Sequence, residues 1–214
     1  MTQEIFTKIF KQNLWGSDES ISGPGSELRN TINLRNDLRY LIKTLRISSI
    51  LDVPCGDMNW MSKVDLENVR YEGWDIVEDL INKNNRKFCQ CRSMKFFCKD
   101  ALSDLLIKSD LIISRDMLIH FPFLATWKFL ENVVCSGSKY LLTSFCDTSA
   151  QNINIQFGQY YPVNLEKPPF NLGRALFYIK EEEPNKYMAL YKVEQIRCHV
   201  KYVLKNHELY DKQN

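Results

Sequence analysis

The sequence predicts an α/β fold: a mostly parallel sheet with helices on both faces, closed at its end by an antiparallel hairpin. Three observations carry that expectation. Short apolar runs recur around residues 50–53, 69–75, 95–98, 110–114 and 140–145, several separated by stretches of helical spacing. A succession of this kind folds as a parallel sheet with its crossovers packed on the faces. Beyond it, Ala175–Ile179 and Tyr187–Glu194 flank the polar turn 180–186, a hairpin pattern.

The chain opens with an apolar-faced stretch, residues 3–13, in which Ile5, Phe6, Ile9 and Phe10 share one helix face. Residues 14–26 are a loop by composition, and Ser26 is placed to cap a long helix ending near Arg46. A Gly/Ser-rich loop before a helix N-terminus offers N–H groups to an anion; a plain linker fits it equally well. Residues 1–46 therefore read as a helical cap on a core at 47–145.

The first core strand, Ile50-Leu51-Asp52-Val53, breaks at Pro54 and Gly56, and an amphipathic stretch follows. A strand ending in a Gly-containing turn is how open α/β sheets form a ligand crevice at their carboxyl edge. Gly56 lets a ligand approach the backbone, and the carboxylates of Asp52 and Asp57 suit ammonium and hydroxyl groups better than phosphate. The dinucleotide fingerprint G-x-G-x-x-G is absent, which disfavours a nicotinamide enzyme. Strand 69–75 ends in Asp75, 23 positions after Asp52, near the separation at which a ribose-binding acid follows a nucleoside-binding turn. The competing role is a helix cap, since Asp75 precedes the helical stretch 78–88. The third strand, 95–98, runs into Lys99-Asp100-Ala101.

The fourth strand, 110–114, delivers Arg115, Asp116 and His120 within six residues. Asp116 or His120 is positioned to take a proton from an acceptor, and Arg115 to hold a carboxylate or phosphate. A backbone-bonded buried histidine and an Arg115–Asp116 pair are the structural alternatives. Phe123–Cys135 reads as a helix stopped at Ser136-Gly137, and 140–145 as a fifth strand. Residues 146–174 are too aromatic for a solvated linker, with Phe157, Tyr160, Tyr161 and Phe170, and read as an ordered flap closing over the acceptor. The final stretch, 175–205, holds the hairpin and a short strand at Val200–Leu204.

These residues resemble the class I S-adenosylmethionine-dependent methyltransferases. Leu51-Asp52-Val53-Pro54-Cys55-Gly56-Asp57 is similar to their first motif, an acid followed by Gly-x-Gly-x-Gly, with only the middle glycine kept. Trp15-Gly16-Ser17, residues 22–26, Thr31, Arg35, Asn59-Trp60, Arg115-Asp116 with His120, and Pro162–Leu165 with Pro168-Pro169-Phe170 resemble one bacterial branch with a Pro-Cys-Gly-Asp motif. The resemblance implies a Rossmann-like fold of seven strands with a terminal antiparallel hairpin, and S-adenosylmethionine as cofactor. It implies that Asp52, Pro54, Cys55, Gly56, Asp57 and Trp60 surround the cofactor. It also implies that Asp75 takes the ribose, that Trp74 or Ile76 meets adenine, and that Asp100 with Ala101 faces the adenine amino group. Arg35, or the loop before it, is drawn toward its methionine carboxylate, and Arg115 is also counted among the cofactor contacts. The catalytic candidates are Asp116, His120 and Arg115.

The expected reaction is methyl transfer to oxygen or nitrogen of a small polar acceptor: a sugar, a phosphorylated alcohol or a nucleotide-linked glycan precursor. Arg35, Arg115, Lys167 and Arg174 suit an anionic acceptor, although scattered surface charge explains them equally well. The alternatives are an RNA or protein methyltransferase and a cofactor-binding partner without turnover. A net charge of +2, from 28 basic and 26 acidic residues, gives no strong pull toward nucleic acid. No apolar run approaches the ~20 residues that span a bilayer, and the first residues lack a signal-peptide pattern. Seven cysteines, an odd number, suggest free thiols in a reducing cytoplasm. Cys89, Cys91 and Cys98 lack the spacing and the fourth ligand of a zinc site, so no metal is expected.

Overall fold

The computed structural model describes residues 2–200. Seven strands form one sheet: β1 (Ser49–Asp52), β2 (Arg70–Asp75), β3 (Met94–Cys98), β4 (Leu111–Ser114), β5 (Tyr140–Cys146), β6 (Phe177–Lys180) and β7 (Lys186–Lys192). Their order is β3-β2-β1-β4-β5-β7-β6. The first five run parallel, while β7 is antiparallel to both β5 and β6. This is the mixed seven-stranded arrangement the resemblance implies. The chain reverses its direction of travel across the sheet between β1 and β4, which opens a crevice at their carboxyl ends.

Every residue of β1 and β4 is buried, as central parallel strands covered on both faces must be. Side chains alternate between faces. Leu51 and Ile112 join one core with helix α4 (Phe123–Cys135), while Ile50, Leu111 and Ile113 join another with helix α2 (Ile32–Thr44). Helix α3 (Glu78–Lys87) adds Ile81 to the second core, and Leu80 packs with Phe10 of helix α1 (Thr2–Lys11).

Several sequence expectations are corrected. Ser26 caps no long helix: it lies in a 3₁₀ turn, Pro24–Ser26, and a second turn, Leu28–Thr31, precedes α2. The amphipathic stretch after Gly56 forms only the 3₁₀ turn Met61–Lys63, because Met58 takes a left-handed φ of 61° that breaks helical continuity. No helix joins β3 to β4. Residues 193–200 are helical, so β7 stops before the expected end at Glu194. The strand expected at Val200–Leu204 falls mostly outside the described residues. Among the described residues no helix is long and apolar enough to cross a membrane.

Candidate active site

The carboxyl ends of β1, β2 and β4 and the loop after β3 open into one cleft, whose lining includes Asp52, Pro54, Cys55, Gly56, Asp57, Trp60, Asp75, Ile76, Asp100, Ala101, Arg115, Asp116 and His120. Of the sequence candidates only Arg35 is missing from it. Its guanidinium turns back along its own helix to the carbonyls of Leu28, at 3.0 Å, and Thr31, at 3.2 Å. The helix that was expected to carry Arg35 toward the ligand starts later, and the side chain is spent closing its first turn.

The β1 and β2 ends place two buried carboxylates side by side. Asp52 accepts a 2.6 Å hydrogen bond from the Tyr71 hydroxyl, and burial raises its pKa to about 7. Asp75 accepts the N–H groups of Val77 (2.9 Å) and Gly56 (3.3 Å), and burial raises it to about 6. Desolvation dominates because neither carboxylate forms an ion pair among the described residues. Asp75 bonds the Val77 N–H in the turn before α3 and does not cap the helix itself, and a carboxylate so bonded has lone pairs to spare. Asn84 of α3 donates to the Gly56 carbonyl at 2.8 Å and fixes the turn from the other side. Cys55 meets the ligand space with its backbone; its thiol lies against Gly73, where a Cβ would come within 3.0 Å of the sulfur.

The third strand end is gentler. Asp100 accepts the Leu102 N–H at 2.8 Å, and the Lys99 ammonium sits 4.3 Å from the centre of the Trp74 ring.

Asp57 serves a different purpose. Its carboxylate accepts Ser20 Oγ at 2.9 Å and the Ile21 N–H at 3.0 Å, while the Ser22 hydroxyl accepts the Asp57 N–H at 3.0 Å. Asn59 donates to the Ser26 carbonyl and to Glu19. These bonds hold the N-terminal loop down on the Gly56 turn. The same loop lines the cleft with Trp15, Ile21 and Ser22, and α1 adds Phe6 and Phe10. A Cβ on Gly56, at φ 56°, would meet Ser22 Oγ at 2.5 Å, so this contact requires glycine.

At the β4 end, Arg115 and Asp116 form a compensated cluster with two residues of the hairpin, Glu181 and Lys186. Arg115 is bonded to Glu181, contacts Asp116 at 3.1 Å and donates to the Gly25 carbonyl at 2.8 Å. Lys186 reaches Asp116 at 2.9 Å. Desolvation opposes ionisation of Asp116, yet the Arg115 guanidinium and the Lys186 ammonium together hold it well below the usual carboxylate range. So placed, Asp116 is a poor proton acceptor, and Arg115 is committed to protein partners. This is the Arg115–Asp116 pairing that stood as the structural alternative to their catalytic roles. Sequence reasoning missed Glu181 and Lys186, which lie far along the chain and meet Arg115 and Asp116 through the antiparallel hairpin.

His120 lines the cleft from the 3₁₀ turn Leu118–His120. Its Nδ1 lies 2.8 Å from the Gln159 carbonyl, so Nδ1 carries the proton and Nε2 keeps its lone pair. Burial lowers its pKa, with the Gln159 carbonyl and Asp116 partly opposing. The Trp15 ring stacks on the imidazole, centroids 5.5 Å apart and planes 22° apart.

Residues 146–174 contribute nothing to the cleft lining. Tyr161, Phe170 and Leu172 are core, and Lys167 is bonded to the carbonyls of Thr148 and Ala150. The segment touches the site through Gly158 and Tyr161, whose N–H groups bind the His120 and Ile119 carbonyls at 3.0 Å each, and through Gln159. These bonds support the cleft from behind, and the Tyr160 ring stands at its edge beside His120, centroids 6.3 Å apart.

No protein-family model matches the chain, and no curated protein does. Solved structures do. Magnesium protoporphyrin IX methyltransferase (ChlM) from Synechocystis PCC 6803 with bound S-adenosylmethionine is 13% identical. That match covers 90% of this chain and 97% of that one, with a TM-score of 0.62. TehB from Haemophilus influenzae is 15% identical over 73% of this chain and 61% of its own, at a TM-score of 0.56. The S-adenosylmethionine-dependent methyltransferase SibL is 10% identical over 76% and 55%, at 0.58. At such identities the likeness speaks for architecture: the chain has the class I methyltransferase fold.

Proposed function

We propose that the chain is an S-adenosylmethionine-dependent methyltransferase acting at oxygen or nitrogen of a small polar acceptor. The observation that carries this is the pair Asp52 and Asp75, buried side by side in the cleft without ion-pair partners among the described residues. Buried carboxylates without a cation demand hydrogen-bond donors and positive charge from a ligand. A nucleoside sulfonium with an amino-acid ammonium offers both, whereas a pyrophosphate would be repelled.

When bound, S-adenosylmethionine supplies a methyl group on a cationic sulfur, already activated for transfer. Asp75 would accept the ribose hydroxyls through its free lone pairs, and Asp52 would offer negative charge to the cationic end. Asp100 and Ala101, with Ile76, would hold the base. The N-terminal roof excludes water, which strengthens every one of these contacts. Positioning supplies most of the acceleration. Where the acceptor must lose a proton, His120 Nε2 receives it, because Gln159 holds the other nitrogen protonated.

Calorimetric titration with S-adenosylmethionine, S-adenosylhomocysteine and NAD tests the reading. Saturable binding of the first two and none of NAD is expected; the reverse pattern would sink it. Release of S-adenosylhomocysteine across an acceptor panel then separates an enzyme from a silent cofactor-binding subunit.

A further inference from the structure

We infer, on the basis of the methyltransferase reading above, that the acceptor is a neutral ring carrying a hydroxyl group, seated beside Trp15, His120 and Tyr160 and methylated on that oxygen. Two independent features of the β4 end of the cleft lead there, charge and shape.

The charge is already settled within the protein. Arg115 and Lys186 face three carboxylates, Asp116, Glu181 and Glu183, with Lys186 at 2.9 Å from Asp116, 3.9 Å from Glu181 and 3.7 Å from Glu183. Two cations against three anions leave no positive charge for a phosphate or carboxylate on the substrate. Lys99 lies at the far end of the cleft, over Trp74. The expectation of an anionic acceptor, drawn from Arg35, Arg115, Lys167 and Arg174, loses its basis. Arg35 and Lys167 bond backbone carbonyls, Arg115 is paired, and Arg174 is absent from the cleft lining.

The shape is aromatic. His120 stands between the Trp15 ring, stacked at 5.5 Å, and the Tyr160 ring, tilted at 6.3 Å. Tyr160 is 58% exposed, a large ring left uncovered next to the only histidine of the cleft lining. Flat faces of this kind bind aromatic rings by offset stacking and the C–H faces of pyranoses by dispersion. His120 Nε2 has no protein partner among the described residues, and a lone pair at such a site accepts from an O–H. The step balances without any further reactant. The acceptor oxygen attacks the sulfonium methyl carbon, and the C–O bond forms as the S–C bond breaks. The S–C electron pair returns to sulfur, and the hydroxyl proton passes to His120 Nε2.

The test uses the full chain saturated with S-adenosylhomocysteine and labelled at histidine for NMR. Phenol, methyl β-glucoside, phenyl phosphate and benzoate are titrated separately. The His120 resonances are expected to shift saturably with phenol, with the glucoside or with both, and at least about tenfold more weakly with the two anions. The phenol and glucoside arms tell an aromatic acceptor from a sugar. Tyr160→Ala, outside the cleft lining, is expected to weaken the neutral-ring response several-fold while S-adenosylhomocysteine binds as before. With S-adenosylmethionine in its place, the preferred neutral ring should yield its methyl ether. A stronger response to phenyl phosphate or benzoate, or no response of His120 to either neutral ring in protein that holds S-adenosylhomocysteine, overturns the inference. Failure to bind S-adenosylhomocysteine at all would instead remove the reading beneath it.

Discussion

Two irregular segments flank the cleft, and they have exchanged the roles their compositions suggest. Residues 146–174, rich in aromatic rings and proline, look like a lid, yet Tyr161, Phe170 and Leu172 are buried in the core against α4. Residues 14–31, rich in serine and glycine, look like a linker, yet they close the cleft and are bound to it by Asp57, Asn59 and Arg115. The lesson is physical. Aromatic side chains in an irregular segment gain most by full burial, about 25 cal/mol per Å² removed from water. A segment that must release its hold to admit a ligand does better with hydrogen bonds, each worth only about 1 kcal/mol net. The segment built into the core is apolar, and the one laid over the Gly56 turn is held by hydrogen bonds.

The comparison breaks most visibly under substitution of the buttress. Phe170→Ala removes a ring packed between Phe123 and Trp127 and should cost about 3–5 kcal/mol of stability, measured by urea unfolding. Cofactor affinity of the folded fraction should not change; a large loss of affinity would make residues 146–174 part of the site after all. Arg115→Leu is expected to be of similar size, about 3–5 kcal/mol, because it leaves the buried Glu181 and Asp116 to share the single cation of Lys186. Here the partner change sharpens the result: the double variant Arg115→Leu/Glu181→Leu should recover part of that loss, and no recovery would argue against the ion pair.

Asp75→Ala should weaken S-adenosylhomocysteine binding by about 1–3 kcal/mol through lost charged hydrogen bonds. An unchanged dissociation constant would remove Asp75 from the ligand. Asp57→Ala frees the N-terminal loop and should cost about 1–2 kcal/mol in binding, with faster proteolysis within residues 14–31. If digestion of that loop is no faster, Asp57 is not its anchor.

The smallest effect is one of pH. Asp52 and Asp75 have raised pKa values, about 7 and about 6, so the free protein binds their protons more tightly folded than unfolded. Their contribution to stability is full below the ordinary aspartate range and is lost as pH rises through 6 and 7. A cationic ligand prefers the ionised carboxylates, so its affinity should rise over the same window, with proton release on binding. Calorimetry in two buffers of different ionisation enthalpy detects that release; proton uptake would contradict the assignment.

Much of the fold was legible because it rests on local pattern. The apolar runs of β1, β2, β4 and β5 are what a buried parallel sheet needs, and α4 spans Phe123–Cys135 as its spacing predicts. The three strand-end acids fall in one cleft because parallel strands present all their carboxyl ends on one side of the sheet. The turn after β1 was less visible, since amphipathic spacing over a few residues suits a 3₁₀ turn as well as a helix. Arg35 was misplaced by an error in where α2 begins. Tyr71, Asn84, Glu181 and Lys186 carried no signal in the linear sequence, because each meets its partner from a separate element.

The sequence by itself determined the sheet, the Gly56 turn and the positions of Asp52, Asp75 and Asp100 along it. Those depend on side-chain periodicity and on which residues a turn tolerates, both short-range matters. Only the tertiary structure decided which charges are free and which are spent. Asp116 is held ionised by Arg115 and Lys186, Arg115 is fixed by Glu181, and His120 is oriented by Gln159 and Trp15. Electrostatic fate depends on distance in space and on exclusion of water, and neither is written in the order of residues.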